Sequence, residues 1–305
     1  MTKSYPTITT WNDMPYDILV KIFMALDILD LVTGVSRVCS LWRAASFEPA
    51  LWRKIDLSRV NPDSIEIPTR TDEFFEDESS NKLMLILKNA LKLSRGNVSS
   101  LIFHFSVSLW NEHIVYAAVR SRNLKRLVLP MWNRLDIEAL EYAIMCWKDL
   151  ESLTVPCVYA PCSMMRAIGA FCKNFSELKI MCPLDIDFAH AIVVNTPNLK
   201  VLSLRCTVVF REALQFLLLN MEHLEVLNLT HCLVVSYSRR AGYLVVYREI
   251  DEDIIENASN LKKFLTCKKT SCSMCKVVAN QVGFLKWYNC EERNWRMDEV
   301  PSLAV

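Results

Sequence analysis

The sequence predicts an α/β fold: a small three-helix unit at the N-terminus, then a curved solenoid of short parallel strands, each followed by a helix. Two observations carry that expectation. Between residues 97 and 267 one apolar phrase returns at a spacing in the twenties, the mark of a stacked repeat. Ahead of it, residues 11–56 place apolar side chains three and four residues apart in short runs, the period of helices rather than strands. Composition agrees, since 52% of the 305 residues are hydrophobic and 23% are charged, as in an ordinary globular chain of about two domains.

Residues 1–10 form a short tail before the first element. Pro15 then opens a helix carrying Ile18, Leu19, Ile22, Phe23 and Leu26, with Asp17 and Lys21 on the other side; proline suits a first helical position because its missing N–H has no partner there anyway. A second stripe, Leu31, Val35, Val38 and Trp42, follows Asp30 as its N-cap, and Leu51 and Trp52 close the unit after Pro49. Roughly 40 residues cannot bury this much Trp, Phe and Ile by themselves, so part of the surface must be covered by something else. Residues 57–96 hold a connecting loop and a first helix, the loop marked by Pro62, Pro68 and the acidic group Asp72, Glu73, Glu76, Asp77 and Glu78.

The repeats fill residues 97–267. Their anchors are Val98, Leu124, Leu150, Phe175, Leu199, Leu224 and Leu261, at intervals of 26, 26, 25, 24, 25 and 37. The phrase L-x-x-L-x-L at this period is the leucine-rich repeat pattern. Each copy predicts one strand whose anchor, third and fifth successors face the core, as Leu199, Leu202 and Leu204 do. The returns read as helices over residues 112–119, 137–145, 164–171, 188–194 and 212–219. Stacking is what covers the apolar faces that one unit leaves open. Trp52, Ile55 and Leu57 read as an incomplete first copy, which joins the N-terminal unit rigidly to the array. The last interval is long because residues 233–259 are inserted as a loop rich in Tyr and Arg, residue types favoured at binding surfaces.

Twelve cysteines in a chain of this length, spread mostly singly, are expected to be reduced thiols. Cys157, Cys182 and Cys206 fall seven residues after their anchors and Cys232 eight after, and the expectation for them is a structural role as small buried hydrophobes. Residues 268–305 form a Cys- and Trp-rich segment expected to cap the end of the solenoid. With Cys267 it contains a C-x4-C-x2-C run and a later fourth thiol: Cys267, Cys272, Cys275 and Cys290. Four thiolates could hold zinc tetrahedrally, but Cys267 falls on a repeat strand and the second end lacks its own C-x-x-C, so a cap without metal or cofactor is the expectation.

Several function classes are disfavoured. A net charge of +1 supplies no field for nucleic acid or anionic lipid, and charges interrupt each apolar run before it reaches spanning length. The expected compartment is the nucleus or the cytoplasm. Five glycines and no Gly-rich phosphate loop argue against nucleotide binding. The histidines, His104, His113, His190, His223 and His231, are scattered and match no hydrolase or deaminase motif, so no residue is expected to do covalent work.

Met14-Pro15, Ile18-Leu19, Ile22-Phe23, Asp30-Leu31, Val35, Val38-Cys39, Trp42-Arg43 and Leu51-Trp52 resemble the F-box position by position. With the repeats and the Trp- and acid-containing tail around Trp287, Trp295 and Asp298-Glu299-Val300, the chain resembles plant F-box/leucine-rich-repeat proteins of the Skp-interacting kind. The resemblance implies an F-box at residues 11–56 that docks on a Skp-type adaptor, and through it on cullin and RING subunits, while the repeats hold an unidentified target protein for ubiquitination. The chain would then be a non-catalytic subunit of the ligase. For the adaptor face it implies Pro15, Ile18, Leu19, Ile22, Leu31, Val35, Val38 and Trp42, some of them turning inward. Strand alternation puts Arg126, Val128, Thr154, Lys179, Arg205 and Asn228 on the side away from the helices. These, with Tyr237, Arg239 and Tyr243 of the insertion, are the target-binding candidates. The rivals are a repeat scaffold or a small-molecule co-receptor acting without a ligase.

Overall fold

The structure, a computed structural model, describes residues 11, 14–60, 78–105, 107–156, 158–238, 243–247, 249–267, 272, 275 and 299–304. The N-terminal unit starts with α1 (Tyr16–Phe23), whose first turn closes as Leu19 N–H donates to the Pro15 carbonyl at 3.0 Å. α2 (Ile28–Thr33) is capped by Asp27, whose carboxylate accepts the Asp30 N–H at 3.0 Å. The cap therefore lies one turn earlier than the sequence pattern places it, because Ile28 joins Leu31 and Val32 on the buried side. A 3₁₀ turn (Val35–Arg37), α3 (Ser40–Ala45) and α4 (Pro49–Trp52) complete the unit.

Trp52 is fully buried and its indole N–H donates to the Ser46 carbonyl at 2.7 Å. The chain then forms β1 (Lys54–Asp56), which pairs in parallel with β2 (Ser100–Ile102). Between them α5 (Glu78–Ser94) packs against α2 and α4. The two parts share one apolar core running from Leu19 in α1 to Ile254 near the far end.

Six further strands continue the parallel sheet: β4 (Arg126–Val128), β6 (Ser152–Val155), β7 (Glu177–Ile180), β8 (Val201–Ser203), β10 (Val226–Asn228) and β13 (Lys263–Leu265). Register follows the leucine spacing: Ile55, Leu101, Leu127, Leu153, Leu178, Leu202, Leu227 and Phe264 stand side by side in one row. One row of apolar side chains with a common pitch is what lets unlike repeats stack, since each strand meets only its neighbours. The returns are α6 (Asn111–Arg120), α7 (Ile137–Cys146), α8 (Pro161–Phe171), α9 (Ile186–Asn195), α10 (Arg211–Asn220) and α11 (Glu252–Asn257), each packed on the next. Asp136 and Asp185 cap α7 and α9 by accepting from Ala139 N at 2.7 Å and Phe188 N at 2.8 Å. Where α8 meets α9 the backbones approach so closely that a Cβ on Gly169 would stand 2.5 Å from the Asn195 carbonyl oxygen.

Shorter ladders form past the ends of the main strands. β3 (Ser108–Trp110) pairs with β5 (Trp132–Arg134), and β9 (Val208–Phe210) pairs with β11 (Leu233–Ser238). β11 turns back antiparallel into β12 (Tyr243–Tyr247). The inserted residues 233–259 are thus not a plain loop. They are a hairpin followed by α11, the return helix of the last repeat, held on α10 by ion pairs from Arg211 to Asp251 and to Asp253, the latter at 3.0 Å. Among the described residues no helix is long and apolar enough to cross a membrane.

Candidate functional site

Around α1 the placement of each side chain decides what a partner can touch. Pro15, Ile18 and Ile22 fall on one stripe of α1, with Pro15 and Ile18 exposed and Ile22 half-buried. Val38 is exposed beyond the 3₁₀ turn. Leu19, Leu31 and Val35 lie inside the shared core and reach no surface. Trp42 is half-buried, edge-on to Phe23 at 5.2 Å and to Trp11 at 5.8 Å between ring centroids. Helical spacing alone could not sort these, because the stripe is wide enough to serve the core and the surface at once. Exposed Trp11, Tyr16 and Met24 extend the apolar surface and were not singled out in the sequence pattern.

On the sheet face away from the helices the structure differs from expectation. Val128, Thr154, Lys179, Arg205 and Asn228 are all buried, and Arg126 is half-buried. Alternation does turn Arg126, Lys179 and Asn228 away from the helices, but residues 299–304 lie across this face like a strap. Glu299 accepts from Asn228 Nδ2 at 2.9 Å through Oε1 and pairs with Lys179 Nζ at 2.7 Å through Oε2. Its own neighbour Val300 N–H donates back to Oε1 at 2.8 Å. Arg126 Nη2 donates to the Ala304 carbonyl at 3.1 Å, and Leu303 between these anchors is fully buried. Burial pulls the Lys179 ammonium down to about 8, against the raising effect of Glu299. Residues 299–304 of the C-terminal segment therefore cover the strands. Nothing in the pattern of residues 268–305 says which surface it would choose.

The hairpin is the opposite case. Tyr237 and Tyr243 are 59% and 62% exposed, and Leu244, Val245 and Val246 are exposed beside them. An apolar strand edge left open to solvent is a template for a partner or an aggregation hazard. Arg239 lies outside the described residues.

The repeat cysteines behave as small hydrophobes: Cys182, Cys206 and Cys232 are buried, with Cys232 Sγ donating to the Leu204 carbonyl at 2.8 Å. Cys172 is also buried, which pushes its thiol up to about 12. Cys157 lies outside the described residues. A different cluster forms past β10 and β13. Three of the four thiols weighed for zinc, Cys267, Cys272 and Cys275, gather around His231 Nδ1 at 3.5, 3.5 and 3.4 Å. Cys267 and Cys275 stand 3.3 Å apart, and the His231 N–H donates to Cys267 Sγ at 3.1 Å. The Cys275 S–H directed at Cys267 holds the Cys267 thiol down to about 4 and pushes the Cys275 thiol up. The fourth thiol, Cys290, lies outside the described residues. His231 had a signal of its own: it falls seven residues after Leu224, the offset held by Cys157, Cys182 and Cys206 in the preceding repeats.

Residues 11–58 match the F-box-like family. An F-box/LRR-repeat protein of Arabidopsis thaliana is 42% identical over 97% of this chain and 96% of its own length. Another Arabidopsis F-box protein is 29% identical over 99% of both chains. The Arabidopsis F-box protein SKIP19 is 26% identical over 75% of this chain and 71% of its own.

Proposed function

Because this chain belongs to the F-box/LRR-repeat family, we propose that it is the substrate-recognition adaptor of a Skp-cullin-F-box ubiquitin ligase, working in the nucleus or cytoplasm. One observation carries the proposal. The N-terminal unit sinks Leu19, Phe23, Leu31 and Trp52 into the core it shares with the solenoid, yet keeps Pro15, Ile18, Met24 and Val38 outside. A unit already anchored on its own chain has no folding reason to leave that apolar surface wet, whereas a Skp-type adaptor would bury it. Holding a target beside the ligase raises their effective concentration without covalent chemistry in this chain.

For the target we assign the β11–β12 hairpin, with Tyr237 and Tyr243 as anchors, because the sheet face that alternation would offer is filled by the strap. Ile18 and Val38 are 40% and 56% exposed, so Ile18→Asp and Val38→Asp test the adaptor face without touching the core. Both together should abolish co-purification with a Skp-type adaptor while the melting temperature holds. Adaptor binding that survives the pair overturns the assignment. Tyr237→Ser with Tyr243→Ser should keep the adaptor and lose target proteins from the co-purified set.

A further inference from the structure

The four atoms His231 Nδ1, Cys267 Sγ, Cys272 Sγ and Cys275 Sγ lie within 4.8 Å of one another. Zinc bonded at about 2.3 Å to sulfur and 2.0–2.1 Å to nitrogen, in a tetrahedron, sets N···S edges of about 3.6 Å and S···S edges of about 3.8 Å. The three N···S edges here are 3.4, 3.5 and 3.5 Å and one S···S edge is 3.3 Å. Four of the six edges thus fall within about 0.5 Å of a tetrahedral zinc site, and the other two are under 4.8 Å. The ligand types fit as well, since thiolates with one imidazole select zinc over the hard cations.

Two neighbouring repeats build this arrangement. His231 follows β10 and Cys267 follows β13, and the two strands are paired, with Leu229 N–H donating to the Leu265 carbonyl at 2.7 Å. Cys272 and Cys275, a C-x-x-C pair in sequence, supply the other two sulfurs. The N–H of His231 already donates to Cys267 Sγ, the kind of outer contact that steadies a thiolate ligand.

We propose that His231, Cys267, Cys272 and Cys275 bind one structural zinc ion that staples β13 and the chain after it to the preceding repeat. Four protein ligands close the coordination sphere, which leaves no position for water and marks the site as structural rather than catalytic. On binding, the thiol protons leave to solvent and no electron is transferred. Among the described residues β13 is the last strand of the sheet and a short one, so a metal clip stands where a solenoid needs its end protected.

The test is metal content of the full-length chain, purified with its adaptor under reducing conditions and measured by inductively coupled plasma mass spectrometry. One zinc per chain is expected, and exchange into cobalt(II) should give the visible bands of tetrahedral thiolate coordination. Cys272→Ser with Cys275→Ser should lose the metal, as should His231→Ala, while Cys290→Ser and the remote Cys162→Ser should keep it. Wild-type protein that takes up neither zinc nor cobalt overturns the site, and this measurement does not depend on any variant folding. A disulfide between Cys267 and Cys275 in freshly isolated protein overturns it too. Zinc kept by His231→Ala but lost from Cys290→Ser overturns the place given to His231.

Discussion

Glu299 and Lys179 offer the most discriminating test of the strap. Their side chains are 0% and 1% exposed and 2.7 Å apart, so neither charge has solvent to fall back on. Glu299→Gln removes the charge but keeps an oxygen to accept from Asn228 and from Val300 N–H. The Lys179 ammonium then loses its buried counter-ion, and breaking a buried pair of this kind costs about 3–5 kcal/mol. Lys179→Met strands the Glu299 carboxylate and should cost a similar amount. The double variant replaces the pair by neutral groups of similar shape, which is commonly neutral or better, so it should fall within about 1 kcal/mol of wild type. Urea unfolding followed by tryptophan fluorescence measures all three, and amide exchange at residues 299–304 shows whether the singles shed the strap first. Single losses below about 0.5 kcal/mol that simply add in the double would refute the buried pair, because sites not in contact add.

Three further outcomes follow from the packing. Trp52→Ala should cost about 3–5 kcal/mol and weaken the solenoid and adaptor binding together, since Trp52 sits in the core common to both; urea midpoints with an adaptor pull-down check this. Gly169→Ala should cost about 1–3 kcal/mol by overpacking α8 against α9, read as a lower melting temperature. His113 is held neutral: Trp110 N–H donates to its Nδ1 at 3.1 Å and its Nε2 faces the Ser80 carbonyl at 2.9 Å. Burial lowers its pKa below the ordinary 6.5, so as pH falls through 6.5 the unfolded chain takes the proton first and stability is lost. Melting temperatures across that range should drop more steeply for wild type than for His113→Gln.

Most of the architecture was legible because it repeats. The anchor spacing places β2, β4, β6, β7, β8, β10 and β13 of the main sheet, and Leu199, Leu202 and Leu204 are fully buried as their offsets require. β1 continues the ladder through Ile55, which the Trp52-Ile55-Leu57 fragment signals. The strap was not legible, because Glu299 has no periodicity and finds Lys179 only through the finished fold. The hairpin was hidden for another reason: the β-branched and aromatic residues of VVSYS and YLVVY suit strands, but an inserted segment between two repeats reads as connection until β9 is seen to offer it an edge. The three thiols were visible as a group, but His231, marked only by its offset from Leu224, was not joined to them. A ligand set divided between a repeat bend and a later segment leaves no local spacing to count.

The strap also fixes an order of assembly. Arg126 and Ala304 are 178 residues apart in sequence, and the surface that receives residues 299–304 exists only once β4, β7 and β10 are aligned. Repeats can nucleate from neighbour to neighbour, but this segment can dock only on the completed array, and it emerges from synthesis after all of them. It can also detach without opening a single repeat. The nascent sheet is therefore accessible to chaperones or partners until residues 299–304 have been made.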